Sequence, residues 1–198
     1  MDAITIRTKG DELHDALIVA GINELELHGL AGFSLRRVAA ACGVSCAAPY
    51  RHFKSKDDLI LAIISYIDAR WSLLCDHICR AFEGDTHKIL VEVCIANIRF
   101  WIANPNFRSV MMLDDRSLDS LQIRERSKLT DSVRLIISKY CGEKKVSTEA
   151  EAKLTFSLFS LIYGSTQMLG SGQIDNSPES INMIKCCIED AISASRDE

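Results

Sequence analysis

The sequence predicts an all-α protein of about nine helices, with a small N-terminal head of three helices joined to a larger helical body. Three observations point there. Only three prolines (Pro49, Pro105, Pro178) and ten glycines interrupt the 198 residues. Apolar residues recur mostly at three- and four-residue spacing, the period of a helix with one buried face. Period-two alternation bounded by turn residues, which marks strands, is absent.

The elements follow in order. A first helix is expected from about Asp11 to His28, with Ile18, Ile22 and Leu25 as its inward stripe and Gly29 as its stop. Ser34 is a good N-cap for a second helix over Leu35 to Cys42, with Val38 and Ala39 facing in. Gly43 supplies a positive φ for a tight turn. Ser45 is expected to cap a short third helix, Cys46 to Phe53, in which Pro49 gives up one backbone N–H. A longer fourth helix starts near Ser55, carries Leu59, Ile63, Ile64 and Ile67 on one side, and reaches about Phe82. Further helices read as Thr86 to Ala103, Asn106 to Leu113, Leu118 to Tyr140, Thr148 to Leu169 and Pro178 to Ala194. Asn104-Pro105, Gly142 and Gly170-Ser171-Gly172 mark the breaks. The natural division makes residues 1–56 the head and 57–198 the body, with the fourth helix linking them.

Composition narrows the function. With 47% hydrophobic and 25% charged residues the chain is an ordinary globular protein of one or two domains. No apolar run approaches the ~20 residues of a membrane-spanning helix, so no membrane partner is expected. The polar segment Met1 to Gly10 lacks a signal-peptide pattern, which makes the cytoplasm the expected location. The net charge of −4 argues against a general nucleic-acid coat, but its distribution is uneven. No Asp or Glu occurs between Leu27 and Lys56, whereas Arg36, Arg37, Arg51, Lys54 and Lys56 do. A basic island in an acidic chain is the electrostatic footprint of a local DNA contact. It coincides with the helix, glycine turn and second helix at residues 33–56, the geometry of helix-turn-helix modules.

The same residues resemble a known family. Gly32 to Ile64, GFSLRRVAAACGVSCAAPYRHFKSKDDLILAII, is similar to the N-terminal domain of the tetracycline-repressor (TetR) family of bacterial regulators. Gly29, Ser34-x-Arg36, Val38-Ala39, Gly43-Val44-Ser45, Tyr50-x-His52-Phe53, Lys56 and Leu59 carry the match. Beyond the head the resemblance is weaker. Ile98 to Leu113 is similar to the segment joining the fifth and sixth helices of many members. Phe159 to Leu169 resembles their eighth helix, where one subfamily has Trp-His-Gly and this chain has Ile162-Tyr163-Gly164.

The resemblance implies double-stranded operator DNA as partner, a homodimer, and a small-molecule effector that the sequence does not identify. It also implies repression relieved when the effector binds. Tyr50 and Lys56 match positions that hold backbone phosphates, contacts that fix register without reading sequence. Arg36 and Arg37 open the second helix, where an arginine reaches guanine or a phosphate; for Arg37 solvation is the other reading. Ser34 and Ser45 present hydroxyl or amide groups to phosphate. Cys46, Ala47, Ala48 and Arg51 form the exposed part of the reading element, the alanines small enough to meet a thymine methyl. His52 divides evenly between a phosphate contact and packing beneath the helix.

In the body, Trp71, Cys75, Phe100, Trp101, Phe107, Met111 and Met112 are the bulky apolar residues expected of an effector pocket or of the core beside it. Asn97, Arg99 and Gln167 are polar groups within apolar helices, suited to orienting a ligand or to packing. Phe156, Phe159, Tyr163 and Gly164 on one helix, with Ile181, Ile184, Ile188 and Ile192 on the next, are the expected dimer surface or packing within the monomer. No metal site and no cofactor is expected. Eight cysteines lack Cys-x-x-Cys and zinc-finger spacing and read chiefly as reduced thiols. Cys75 with Cys79, or Cys186 with Cys187, leaves a thiol- or metal-responsive regulator as the alternative. An enzyme is not expected: Gly-x-Ser-x-Gly, a phosphate-binding Gly-rich loop and His-Glu-x-x-His are all missing.

Overall fold

A computed structural model describes the backbone of residues 9–107 and 120–195, and the side chains of residues 10–107 and 130–195. Among the described residues every regular element is helical. The α-helices are α1 (Lys9–Gly32), α2 (Leu35–Ala41), α3 (Lys56–Ala81), α4 (Thr86–Ala103), α5 (Ser120–Lys144), α6 (Thr148–Gly170) and α7 (Pro178–Ala194), with a 3-10 turn over Pro49–Arg51. Residues 105–107 are helical as well; the rest of the helix expected to Leu113 lies outside the described residues.

The chain divides into two compact units, residues 1–68 with 106–127 and residues 69–105 with 128–198. Helix α3 runs through the division.

In the first unit α1 buries Leu17, Ile18, Ile22 and Leu25, and α2 buries Val38 and Ala39. The first half of α3 adds Leu59, Ile60, Ile63, Ile64 and Ile67, all fully buried. Each stripe keeps the three-four spacing of a single helix face. Gly29 interrupts α1 at φ 62°, ψ −178°, so the regular helix ends at His28 although helical residues resume to Gly32.

The second unit has its own core. Trp71 and Cys75 from α3, a nearly continuous run from Ile89 to Ile98 on α4, and Val133, Ile137 and Tyr140 from α5 meet Leu154, Leu158 and Ile162 of α6. Ile184, Ile188 and Ile192 of α7 complete it. Short polar caps set the boundaries. Asp85 accepts from the Lys88 N–H (3.0 Å), Ser147 from Ala150 (3.1 Å) and Ser177 from Ser180 (3.2 Å). Pro178 follows as the first residue of α7, where its missing N–H costs nothing.

Candidate nucleic-acid interface

The head's turn is built from local hydrogen bonds. Ser34 caps α2, its hydroxyl accepting the Arg37 N–H at 3.5 Å. At the other end the Gly43 N–H bonds the Ala40 carbonyl and the Val44 N–H bonds Ala39, both at 3.0 Å. This paired closure needs a left-handed residue, and Gly43 provides it at φ 67°.

The third helix expected over Cys46 to Phe53 forms only as a turn over Cys46 and Ala47 followed by the single 3-10 turn Pro49–Arg51. Proline is the reason. An α-helix here would need the Pro49 N–H to bond Ser45, and proline has none. Bonds of i to i−3 type take over, Ala48 N–H to Ser45 (2.9 Å), Arg51 to Ala48 (3.1 Å) and His52 to Pro49 (3.0 Å), and one bond of i to i−4 type survives after the proline, Phe53 N–H to Pro49 (2.9 Å). Ser45 therefore contributes its carbonyl, and the residue at the cap of the turn is Ala48. Pro49 and Phe53 point inward.

The expected contact residues take distinct places on this frame. Arg36, Ser45, Cys46, Ala47, Tyr50 and Arg51 are exposed, Tyr50 by 60%. Ser34, Ala48, His52 and Lys56 are half-buried. The His52 ring lies 6.0 Å from His14 and 6.3 Å from Phe53, in a group that ties α1 to the end of the turn. The Lys56 ammonium donates to the Leu30 carbonyl at 2.5 Å and lies 5.7 Å from the centre of the Phe33 ring. It thereby ties the start of α3 to the broken end of α1, where the Leu30 carbonyl also accepts the Phe33 N–H at 3.3 Å.

Arg37 turns back toward α1. Its Nε donates to Glu24 Oε1 at 2.8 Å, and its Nη2 donates to the same oxygen and to the Gly32 carbonyl. Glu24 Oε1 also accepts the Ser34 N–H at 3.1 Å. Glu24 has no counterpart among the expected residues. A signal was present: Leu17, Gly21 and Glu24 share a face of α1, so an acid falls at the edge of the buried stripe.

The body residues divide as well. In the second unit Trp71 is fully buried, 5.5 Å from Phe100 between ring centres, and its indole N–H donates to Ser132 Oγ at 2.7 Å. Cys75 belongs to the same core, and Trp101 donates to the buried Asn97 at 2.9 Å, which gives Asn97 a packing partner. Arg99 and Gln167 are exposed. Phe107 lies in the first unit, edge-on to Tyr66 at 6.4 Å. Met111 and Met112 lie outside the described residues.

On α7 the isoleucine stripe follows the second of its two readings, packing within the monomer. Ile184, Ile188 and Ile192 are at most 4% exposed and packed into the protomer's own core, with Ile181 half-buried against it. The outward face of α7 carries Asn182, Met183, Cys186 and Cys187 instead. On α6, Phe156 (76%), Tyr163 (44%) and Gly164 are exposed. Phe159 is half-buried between the Arg134 guanidinium (4.9 Å) and Tyr163 (6.1 Å). Phe156, Phe159 and Tyr163 border an open groove of about 770 Å³ with Thr148 and Glu151.

The cysteines are graded by depth. Cys46, Cys186 and Cys187 are exposed, whereas Cys75, Cys94 and Cys141 are buried. Burial pushes the Cys94 thiol up to about 12, and lifts Cys141 with help from the Glu151 charge. Among the described residues no group of three or more His, Cys, Asp or Glu is placed to hold a metal ion. A maleimide at pH 8 is accordingly expected to label Cys46, Cys186 and Cys187 in the folded protein, and Cys94 only after unfolding. The folded Cys94 keeps its proton where the unfolded thiol, at its ordinary 9.0, has lost it. Its contribution is thus complete below pH 9 and declines as pH rises toward 12. Urea midpoints measured across that range should fall less for Cys94→Ala than for the wild type.

Comparison with known proteins places this geometry. Residues 17–63 match the family model of bacterial regulatory proteins, tetR family. No curated protein matches the sequence. Among solved structures, a TetR family transcription regulator from Marinobacter aquaeolei VT8 has 19% identity and a TM-score of 0.73, covering 91% of this chain and 95% of its own. The TetR family transcriptional regulator PfmR from Thermus thermophilus has 18% identity and a TM-score of 0.65, with 89% and 97% covered. A putative transcriptional regulator from Pseudomonas aeruginosa PAO1 has 17% identity and a TM-score of 0.77, with 98% of each chain covered. At such identities the likeness is one of fold.

Proposed function

We infer that this chain is a bacterial transcriptional regulator of the TetR type and works as a repressor. It holds a near-palindromic operator as a homodimer and leaves it when a small-molecule effector binds. In this reading residues 1–56 are the DNA-binding head and 57–198 the regulatory and dimerisation body.

The observation that carries it is the exposed face of the turn, where Arg36, Tyr50 and Arg51 stand out from a segment free of acidic residues. Tyr50, Arg51 and Ser45 take phosphates, as does Lys56 with the ammonium donors that Leu30 does not use. Cys46, Ala47 and Ala48 approach base edges, where small side chains permit close contact. Arg36 adds a forked donor for guanine or phosphate. One turn of this size reads few bases, so two copies about 34 Å apart on successive grooves are required. The effector acts by favouring a spacing of heads that no longer matches that repeat.

The test is a selection from random duplex DNA by the intact protein, followed by titration across salt concentrations. A near-palindromic consensus, with affinity that falls steeply as salt rises, is the expected result. A protein that enriches no duplex, or binds without salt dependence, would end the proposal.

A further inference from the structure

We propose that Glu24 and Arg37 form a positioning clamp that sets how the head presents its turn to DNA, so that Arg37 works through Glu24 and not on the phosphate backbone. This rests on the DNA-binding reading given above.

Glu24 is only 6% exposed. A carboxylate at that depth is costly unless donors surround it. The donors here come from both sides of the Gly29 break. Oε1 collects the Ser34 N–H and two N–H groups of Arg37, while Oε2 lies 3.8 Å from His28 Nε2. The second bond from Arg37 Nη2, to the Gly32 carbonyl, fastens the loop between α1 and α2. The Arg37 N–H meanwhile closes the Ser34 cap. One guanidinium therefore locks the end of α1, the loop and the first turn of α2 into a single arrangement. A planar fork with several fixed donors suits that task, where a lysine would be a single point charge.

The consequence for DNA is a division of labour between neighbours. Arg36 is exposed. Arg37 is 49% exposed, yet its Nε and Nη2 face the protein. Swinging Arg37 out to a phosphate would strip a buried carboxylate of its principal partner. A clamp of this kind governs register: groups that contact DNA need their supporting shell held to a fraction of an ångström.

The experiment uses the intact protein and its Glu24→Gln, Arg37→Met and double variants. The probes are a duplex selected by the wild type from a random pool and an unselected duplex of equal length. Each single variant is expected to lose roughly tenfold in affinity for the selected duplex, since a hydrogen bond to a charged group is lost. Its preference over the unselected duplex should narrow while the slope of log affinity against log salt stays that of the wild type. The double variant should be no worse than either single one, because both remove the same interaction.

A slope reduced by about 0.9 per protomer in Arg37→Met, with binding by Glu24→Gln unchanged, would make Arg37 a direct phosphate contact and overturn the clamp. Losses that add in the double variant would overturn it too. Should a single variant fold poorly by circular dichroism, the double variant, which leaves no charge of the pair unpaired, still reports the preference ratio and the slope. Failure of the DNA-binding reading is separate, since it shows as absence of binding by the wild type.

Discussion

Replacing Arg36 and Arg51 together with alanine is expected to weaken duplex binding by about a hundredfold or more at moderate salt, while leaving thermal stability unchanged. Both side chains are exposed, and among the described residues neither makes a hydrogen bond or an ion pair with the fold. Removing them therefore costs little packing. Hydrogen bonds to charged groups contribute about 1.5–3 kcal/mol each, so two contacts at the low end already amount to a hundredfold. Two arginines per protomer make four in a two-fold complex, and each phosphate released changes the salt slope by about 0.9. A drop in slope of about 1.8 with Arg51 alone on a phosphate, or about 3.6 with Arg36 on one too, is the sharper readout, because misfolding does not produce it. An unaltered slope in a variant with unaltered melting would remove these arginines from the interface. Tyr50→Phe deletes one hydroxyl from the same exposed turn and should give the smaller loss.

Much of this head is legible in the sequence, and the reasons are local. The Ser34 cap, the Gly43 turn and the stop at Gly29 each follow from what one residue can do with its own backbone, and all three are present. The stripes of α1, α2 and α3 were legible because each buries one helical face against one core. The turn after α2 departs from expectation because two signals compete there. Cys46 to Phe53 has the length and cap of a helix, but Pro49 sits too deep in so short a segment for the α pattern to hold ahead of it. Lys56 and Arg37 were legible as charges, not as partners. Their acceptors, Leu30 and Glu24, are 26 and 13 residues distant and meet them only once α1 has packed. The body shows a different limit. A stripe of Ile184, Ile188 and Ile192 has the same periodicity whether it faces its own core or a second copy, and only packing decides. Phe156, Met183 and the adjacent cysteines, less regular as a pattern, proved to be the outward ones.

That outward face yields the other large expected effect. Phe156→Asp is expected to convert a dimer into a monomer at micromolar concentration, and to carry the loss of operator affinity with it. Phe156 leaves 76% of its surface exposed in the protomer, and Tyr163, Met168 and Met183 leave 44%, 41% and 52%. Large apolar groups gathered on two neighbouring helices are what a soluble chain covers with a partner. On α6 the exposed positions Phe156, Ser160, Tyr163, Gly164 and Gln167 keep helical spacing without a charge among them, and the exposed Lys153–Glu149 pair lies just before them. A β-carbon placed on Gly164 would meet nothing within 4 Å, leaving room for a second backbone to come close. Such a patch satisfies itself through a two-fold axis, so one substitution strikes the interface twice. An aspartate there exchanges a buried ring for a charge that must lose its water. Central aromatic anchors are worth ~2–4 kcal/mol per copy, so the dimer constant should weaken by about three orders of magnitude or more. Fold should survive, because the ring contributes little to the protomer's own core. Light scattering with circular dichroism separates the outcomes: a monomer of unchanged helicity with poor duplex affinity supports the interface. A dimer that persists in Phe156→Asp and in Phe156→Asp/Met183→Asp would place the two-fold contact on another face.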